Sequence, residues 1–111
     1  MVSRYIPAQG DIVKLNFNPT LGRQAGFRPA LIVTPKEFNQ STQLALVCPI
    51  TSKVKGFPLE VILPEGLMTS GVILIFQVKT IDWLERQAKY LESLPAEALE
   101  EAISKLHATI G

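Results

Sequence analysis

Apolar and polar positions alternate from Ile12 to Phe17, where Lys14 and Asn16 separate Val13, Leu15 and Phe17, and this period of two predicts a half-buried β-strand. Ala30 to Val33 and Leu44 to Val47 are continuous apolar runs, which predict short strands buried on both faces. Pro35 to Gln43 reads as a polar connector between them, so the two strands pair antiparallel. A register in which paired numbers sum to about 79 sets Ile32 against Val47 and Arg28 against Thr51 on one face. Leu59 to Leu63 and Val72 to Gln77 are further apolar strands, separated by Pro64-Glu65-Gly66 and Ser70-Gly71. Lys89 to Leu91 fits a short last strand, and between Ile81 and Gln87 the signals conflict. Asn18 to Gly26 collects turn and breaker residues and reads as a long surface loop; Ser52 to Gly56 is a basic turn.

The period changes near the C-terminal end. Leu99, Ala102, Ile103, Leu106 and Ile110 form one stripe at helical spacing, Pro95 suits a first helical position, and Glu97, Glu100 and Glu101 load the first turns with acid. The pattern predicts an amphipathic helix. Five or more short strands, Gly and Pro in the turns and one terminal helix predict a small curled antiparallel sheet or barrel covered by a helix. At 111 residues the whole chain, 1–111, is expected to be one domain.

Charge adds an asymmetry that the net value of +1 conceals. Residues 1–59 hold seven Lys or Arg against Asp11 and Glu37, giving +5, whereas residues 60–111 hold four bases against eight acids, giving −4. A basic half of this kind suits a polyanionic partner. Cys48 has no second cysteine to bond and reads as a buried structural thiol in a reducing interior. No signal peptide opens the chain and no apolar run reaches membrane-spanning length, so a cytoplasmic protein without a membrane partner is expected.

Several chemistries are excluded by what the sequence lacks. There is no CxxC pair, no HExxH, no run of carboxylates at ligand spacing and no Gly-rich phosphate loop, so no metal and no cofactor are expected. His107 is the only histidine and lies on the flank of the helical stripe, which closes the two-histidine route to RNA cleavage and leaves a Ser-His-Asp triad poorly placed. What remains is the pairing of Arg28 with Thr51. A guanidinium holds two phosphoryl oxygens while a hydroxyl donates a further hydrogen bond, so the pair suits a phosphodiester.

Gly10-Asp11-Ile12-Val13, Phe17-Asn18-Pro19, Gly22 with Gln24-Ala25-Gly26-Phe27-Arg28-Pro29-Ala30, Pro49-Ile50-Thr51-Ser52, Gly71-Val72 and Gln77-Val78-Lys79-Thr80-Ile81-Asp82 follow one another in an order that resembles the MazF/PemK toxins of prokaryotic toxin-antitoxin systems. The opening Met1 to Pro7 and the turn Lys55-Gly56-Phe57-Pro58 point to the MazF branch. The resemblance implies an SH3-like antiparallel barrel of CcdB/PemK type with a C-terminal helix, a homodimer, and a cognate acidic antitoxin as partner. It further implies a sequence-specific, metal-independent endoribonuclease that cuts single-stranded RNA: mRNA, with rRNA and tRNA as further candidates. In that reaction the ribose 2′-hydroxyl attacks the adjacent phosphate and leaves a 2′,3′-cyclic phosphate and a 5′-hydroxyl. The family's catalytic arginine and threonine fall on Arg28 and Thr51.

The departures from the family concern acids. Arg23 and Phe76 stand where many members carry carboxylates, and Asn16 and Asn18 stand where aspartates are common. A positioned base is worth about 10²- to 10⁴-fold in rate, so a slow enzyme, a different RNA preference and base chemistry by Arg28 are all compatible with the sequence. The same barrel occurs in a related toxin that poisons DNA gyrase. The alternative is therefore a catalytically weak or silent member that binds RNA, an antitoxin or gyrase. For RNA binding the candidates are Arg23, Phe27, Ser52, Lys53, Lys55, Gln77 and Lys79: cations for phosphates, Gln77 for a base edge, Phe27 for stacking or for anchoring its loop. Phe76 is expected in the core, and Trp83 at a barrel edge or subunit interface.

Overall fold

A computed structural model describes residues 4–17, 26–53, 56 and 58–111. Among these residues there are seven strands: β1 (Asp11–Asn16), β2 (Phe27–Ile32), β3 (Leu44–Thr51), β4 (Glu60–Ile62), β5 (Val72–Leu74), β6 (Lys79–Asp82) and β7 (Lys89–Ser93). α1 (Lys36–Thr42) joins β2 to β3, and α2 (Ala96–Ile110) closes the chain. Every pairing is antiparallel, in the order β4-β5-β3-β2-β1-β7, with β6 also on β3. β3 changes partner along its length: Leu44 to Val47 pair with β6, while Ile50 and Thr51 pair with β5. Pro49, which has no N–H to give a ladder, stands between these two stretches, and the change of partner curls the sheet.

The register of β2 on β3 is the one read from the sequence, with Ala30 opposite Pro49, Leu31 opposite Cys48 and Ile32 opposite Val47. Both strands are central, so each buries side chains on two faces, which is why their apolar runs are continuous. On one face Ile12, Leu31, Cys48, Ile50 and Ile73 pack beneath Ala102 and Leu106 of α2. On the other, Val13, Leu15, Ala30, Ile32, Val47 and Ile81 close around Trp83. Each fully buried Leu or Ile contributes about 1.5–3 kcal/mol, so both faces are needed to hold so short a chain together.

The structure departs from the sequence reading in six respects. The connector Pro35 to Gln43 contains α1, preceded by extended Pro35 and ended by Gln43 in the left-handed region. The run from Val72 stays a strand only to Leu74; Ile75–Gln77 form a single 3-10 turn. That turn rolls Phe76 outward to 42% exposure, whereas Ile75 is buried, so Phe76 is not a core residue. Trp83 is buried within the second core. In α2, Pro95 sits immediately before the helix instead of within it, and Ile110, the last residue of the stripe, is 71% exposed because the helix outruns the sheet beneath it. Between Ile81 and Gln87, where the sequence signals conflict, β6 ends and a compact turn follows.

Asn39 explains why the polar connector folds as it does. Its fully buried amide donates to the carbonyls of Pro7 (2.8 Å) and Thr34 (3.0 Å) and accepts from the Thr34 hydroxyl (2.6 Å). Its own carbonyl accepts the Trp83 indole N–H at 2.8 Å. A buried amide with all these partners fixes α1 against the N-terminal segment and the second core.

Asp82 anchors the turn after β6. Its carboxylate accepts the N–H groups of Glu85 (2.9 Å) and Leu84 (3.0 Å) and the Gln43 side-chain amide (2.9 Å). The Glu85 N–H foremost, then Gln43 and Leu84, hold this carboxyl below its ordinary value against an opposing push from desolvation. A depressed folded pKa contributes stability that is present above the unfolded value and lost as pH falls through the folded one. Asp82→Asn should therefore flatten the acid limb of stability below about pH 4, read as urea midpoints from pH 7 to pH 3; an unchanged acid limb would remove Asp82 from the account. Among the described residues, no helix is long and apolar enough to cross a membrane.

Candidate active site

At the end of the second core face the two central strands stop being apolar. Continuing the row Ile32-Ala30 along β2 and Val47-Pro49 along β3 reaches Arg28 and Thr51, whose numbers keep the same pairing sum. Both line one cleft of about 390 Å³, together with Phe17, Pro49, Ile50, Leu74, Gln77 and Lys79. Arg28 is exposed and lies opposite Leu15 of β1, so its stem leaves the core beside a fixed apolar neighbour. Thr51 is half-buried; its hydroxyl oxygen accepts the Lys53 N–H at 3.2 Å, which leaves the O–H proton to donate outward.

Lys79 follows from the same alternation, since it pairs with Val47 at the end of the second core. Its ammonium lies 5.0 Å from the centroid of the Phe17 ring, a cation–π contact. Gln77 closes the 3-10 turn at the cleft edge, its side chain exposed. Thus the cleft brings together Arg28, Thr51, Gln77 and Lys79 of the residues read from the sequence. Phe27, Ser52 and Lys53 lie outside its lining: Phe27 is half-buried with Lys89 6.0 Å from its ring centroid, and Ser52 and Lys53 are exposed just past β3. Arg23 and Lys55 fall outside the described residues. Sequence reading missed Phe17 as a cleft residue. The signal was available, because the alternation that points Val13 and Leu15 inward places Phe17 two residues beyond Leu15, the neighbour of Arg28.

The electrostatics are one-sided. Among the described residues, two cations and two hydrogen-bonding groups line the cleft, and none of these lining residues is an acid. Such a cleft attracts a phosphate and orients it, with a bidentate donor in Arg28 and a point charge in Lys79. A larger groove of about 550 Å³ runs beside α2, lined by residues including Gln9, Leu99, Glu100, Ile103 and His107. Among the described residues its lining holds an acid and no Lys or Arg, so it is the poorer site for a polyanion. Cys48 points into the first core, and burial pushes its thiol up to about 12, which suits packing and not nucleophilic attack. Among the described residues, no group of three or more His, Cys, Asp or Glu could hold a metal ion.

Residues 8–110 match the family described as PemK-like, MazF-like toxin of type II toxin-antitoxin system. The chain is 41% identical to the endoribonuclease toxin MazF of Escherichia coli strain K12 over 112 residues, covering 100% of both chains. The crystal structure of MazF (Form-I) from Deinococcus radiodurans superposes with a TM-score of 0.88 at 43% identity, covering 97% of this chain and 99% of that one. The MazE-MazF structure (Form-II) from the same organism gives a TM-score of 0.88 at 41% identity, covering 97% and 98%.

Proposed function

Because the chain belongs to the PemK-like, MazF-like toxin family of type II toxin-antitoxin systems, we propose that it is an endoribonuclease toxin that cuts single-stranded RNA in the cleft between Arg28 and Thr51. The observation that carries this reading is the convergence of Arg28, Thr51, Gln77 and Lys79 on one cleft that lies open to a polyanion. The ribose 2′-oxygen forms a bond to phosphorus and loses its proton, the bond from phosphorus to the 5′-oxygen breaks, and that oxygen gains a proton. A cyclic phosphate and a 5′-hydroxyl remain. Arg28 neutralises the charge that grows on the non-bridging oxygens, and the Thr51 hydroxyl donates to one of them. Lys79 holds a neighbouring phosphate, and Gln77 offers an amide to a base edge. Among the described residues no cleft side chain supplies a carboxylate base, so the reaction depends on charge stabilisation and alignment.

In this reading residues 1–111 act as one toxin domain, in the cytoplasm, as a homodimer restrained by a cognate antitoxin. The solved MazE-MazF complex of D. radiodurans, whose MazF shares this fold, supports the antitoxin. The absence of an acid among the described residues of the cleft lining favours a second reading, a silent member that binds RNA without cutting it.

Incubating the protein with a mixed single-stranded RNA pool in EDTA and mapping the new ends separates the two. The expected result is cleavage that persists in EDTA and leaves 2′,3′-cyclic phosphates. Intact RNA that is nonetheless retained by the protein would establish the binding reading, and cleavage that requires a divalent ion would overturn the mechanism.

A further inference from the structure

β1 runs out of strand partners on one edge before it runs out on the other. Its ladder to β7 covers Asp11 to Lys14, whereas its ladder to β2 continues to Asn16, and the Phe17 N–H then donates to Gly26 at 2.8 Å. Arg86 occupies the edge beyond Lys14. The Asn16 N–H donates to the Arg86 carbonyl at 2.9 Å, and Arg86 Nη1 donates back to the carbonyls of Asn16 (3.3 Å) and Phe17 (2.6 Å). The N–H and C=O of a strand residue point to the same side, so Asn16 is held on that edge through both groups by one residue. The donors belong to a guanidinium, which makes the side-chain half of this grip charge-assisted.

What Arg86 holds is the wall of the cleft. Phe17 lines it and carries Lys79 over its ring. Asn16 stands opposite Phe27, and Leu15 stands opposite Arg28. Movement at Asn16 and Phe17 is therefore passed to Arg28 across one or two ladder positions. Arg86 itself is half-buried on a turn closed by its own N–H to Asp82 (2.9 Å), by Gln87 to Leu84 (3.1 Å) and by Ala88 to Trp83 (3.0 Å). The Asp82 carboxylate caps the same turn, and Ile81 and Trp83 on either side of it are buried in the second core, which ties the support to that core.

We propose that Arg86 is a positioning residue of the active cleft: its guanidinium fixes the Asn16-Phe17 backbone, and through it the Phe17 wall and the alignment of Arg28 with Thr51, without touching RNA. The proposal rests on the endoribonuclease reading for its kinetic consequence and on the hydrogen bonds alone for its structural one.

The test uses Arg86→Met, which keeps the stem and removes the donors, and Arg86→Lys, which keeps a single-point donor. Arg86→Met should lower kcat on the order of 10- to 10²-fold, the cost of a small misplacement near a reacting centre, with KM changing far less and Arg86→Lys recovering part of the loss. Amide exchange at Asn16 should quicken in Arg86→Met. The dependence of log kcat/KM on log salt should keep the wild-type slope, whereas a lost phosphate contact would reduce it by about 0.7. Wild-type kcat together with wild-type exchange at Asn16 would overturn the proposal, and so would a reduced salt slope, which would make Arg86 an RNA contact. If Arg86→Met fails to fold, the same measurements on Arg86→Lys decide between a lowered kcat at constant slope and no effect. If the wild-type protein cuts no RNA, the endoribonuclease reading fails, and the exchange at Asn16 still decides whether Arg86 fixes the cleft wall.

Discussion

Arg28→Ala should lower RNA cleavage by roughly 10²- to 10³-fold while the protein keeps its fold. The loss is expected in kcat, because the negative charge that the guanidinium answers is greatest on the phosphorane and smaller on the bound substrate. The fold should persist because Arg28 is exposed and its side chain belongs to neither hydrophobic core. Arg28→Lys separates charge from geometry: an ammonium keeps the positive charge but cannot present two parallel donors to two phosphoryl oxygens. It should recover binding better than rate. Single-turnover cleavage of an RNA oligonucleotide, with circular dichroism on each variant, checks both statements. Undiminished cutting by Arg28→Ala would take Arg28 out of the catalytic role. Thr51→Ala tests the partner in the same assay, and recovery by Thr51→Ser would show that the hydroxyl, not the methyl group, is what the reaction uses.

Gly71→Ala should destabilise the protein by roughly 3–5 kcal/mol and impair cleavage in whatever fraction still folds. Gly71 lies at φ +117°, a backbone conformation costly for any residue with a Cβ, and a Cβ there would fall 2.0 Å from the Thr51 carbonyl oxygen. Neither can give way cheaply, because the carbonyl is backbone and the Cβ is fixed by the backbone that carries it. The Gly71 carbonyl also accepts the Leu63 N–H at 3.0 Å, and Gly71 immediately precedes β5, whose first residue, Val72, pairs with Thr51. The only relief is to push β5 and the end of β3 apart, which moves Thr51 out of line with Arg28. Chemical denaturation gives the first effect and cleavage per folded molecule the second. A variant with wild-type stability and rate would show that the close approach of these two strands is not required.

These two positions were unequally visible in the sequence. Arg28 and Thr51 could be paired because two continuous apolar runs, a short connector and one plausible register leave little freedom, and the structure has that register across Ala30, Leu31 and Ile32. Lys79 and Gln77 were legible as part of a motif, though only the pairing of β6 with β3 brings them to the same cleft. Phe76 was misread because a run of apolar residues carries no mark of where a strand gives way to a 3-10 turn, which turns one side chain outward. α1 was missed because its seven residues hold a single apolar side chain, Phe38, and so form no apolar stripe; its order comes from Asn39, a buried amide whose partners Pro7 and Trp83 are distant in the chain. Arg86 lay in a stretch with no consistent period, and nothing local distinguishes it from a solvated surface arginine.

The sequence by itself determined the elements with strong periods, the antiparallel register that sets Arg28 toward Thr51, the buried thiol at Cys48 and the family, because each depends on spacing along the chain or on an ordered series of motifs. Only the tertiary structure decided which side chains share the cleft, which backbone atoms Gly71 must clear and which loose edge Arg86 holds. Those are contacts between segments up to about 70 residues apart, and they arise because β3 changes partners and curls the sheet, bringing together groups that no local pattern relates.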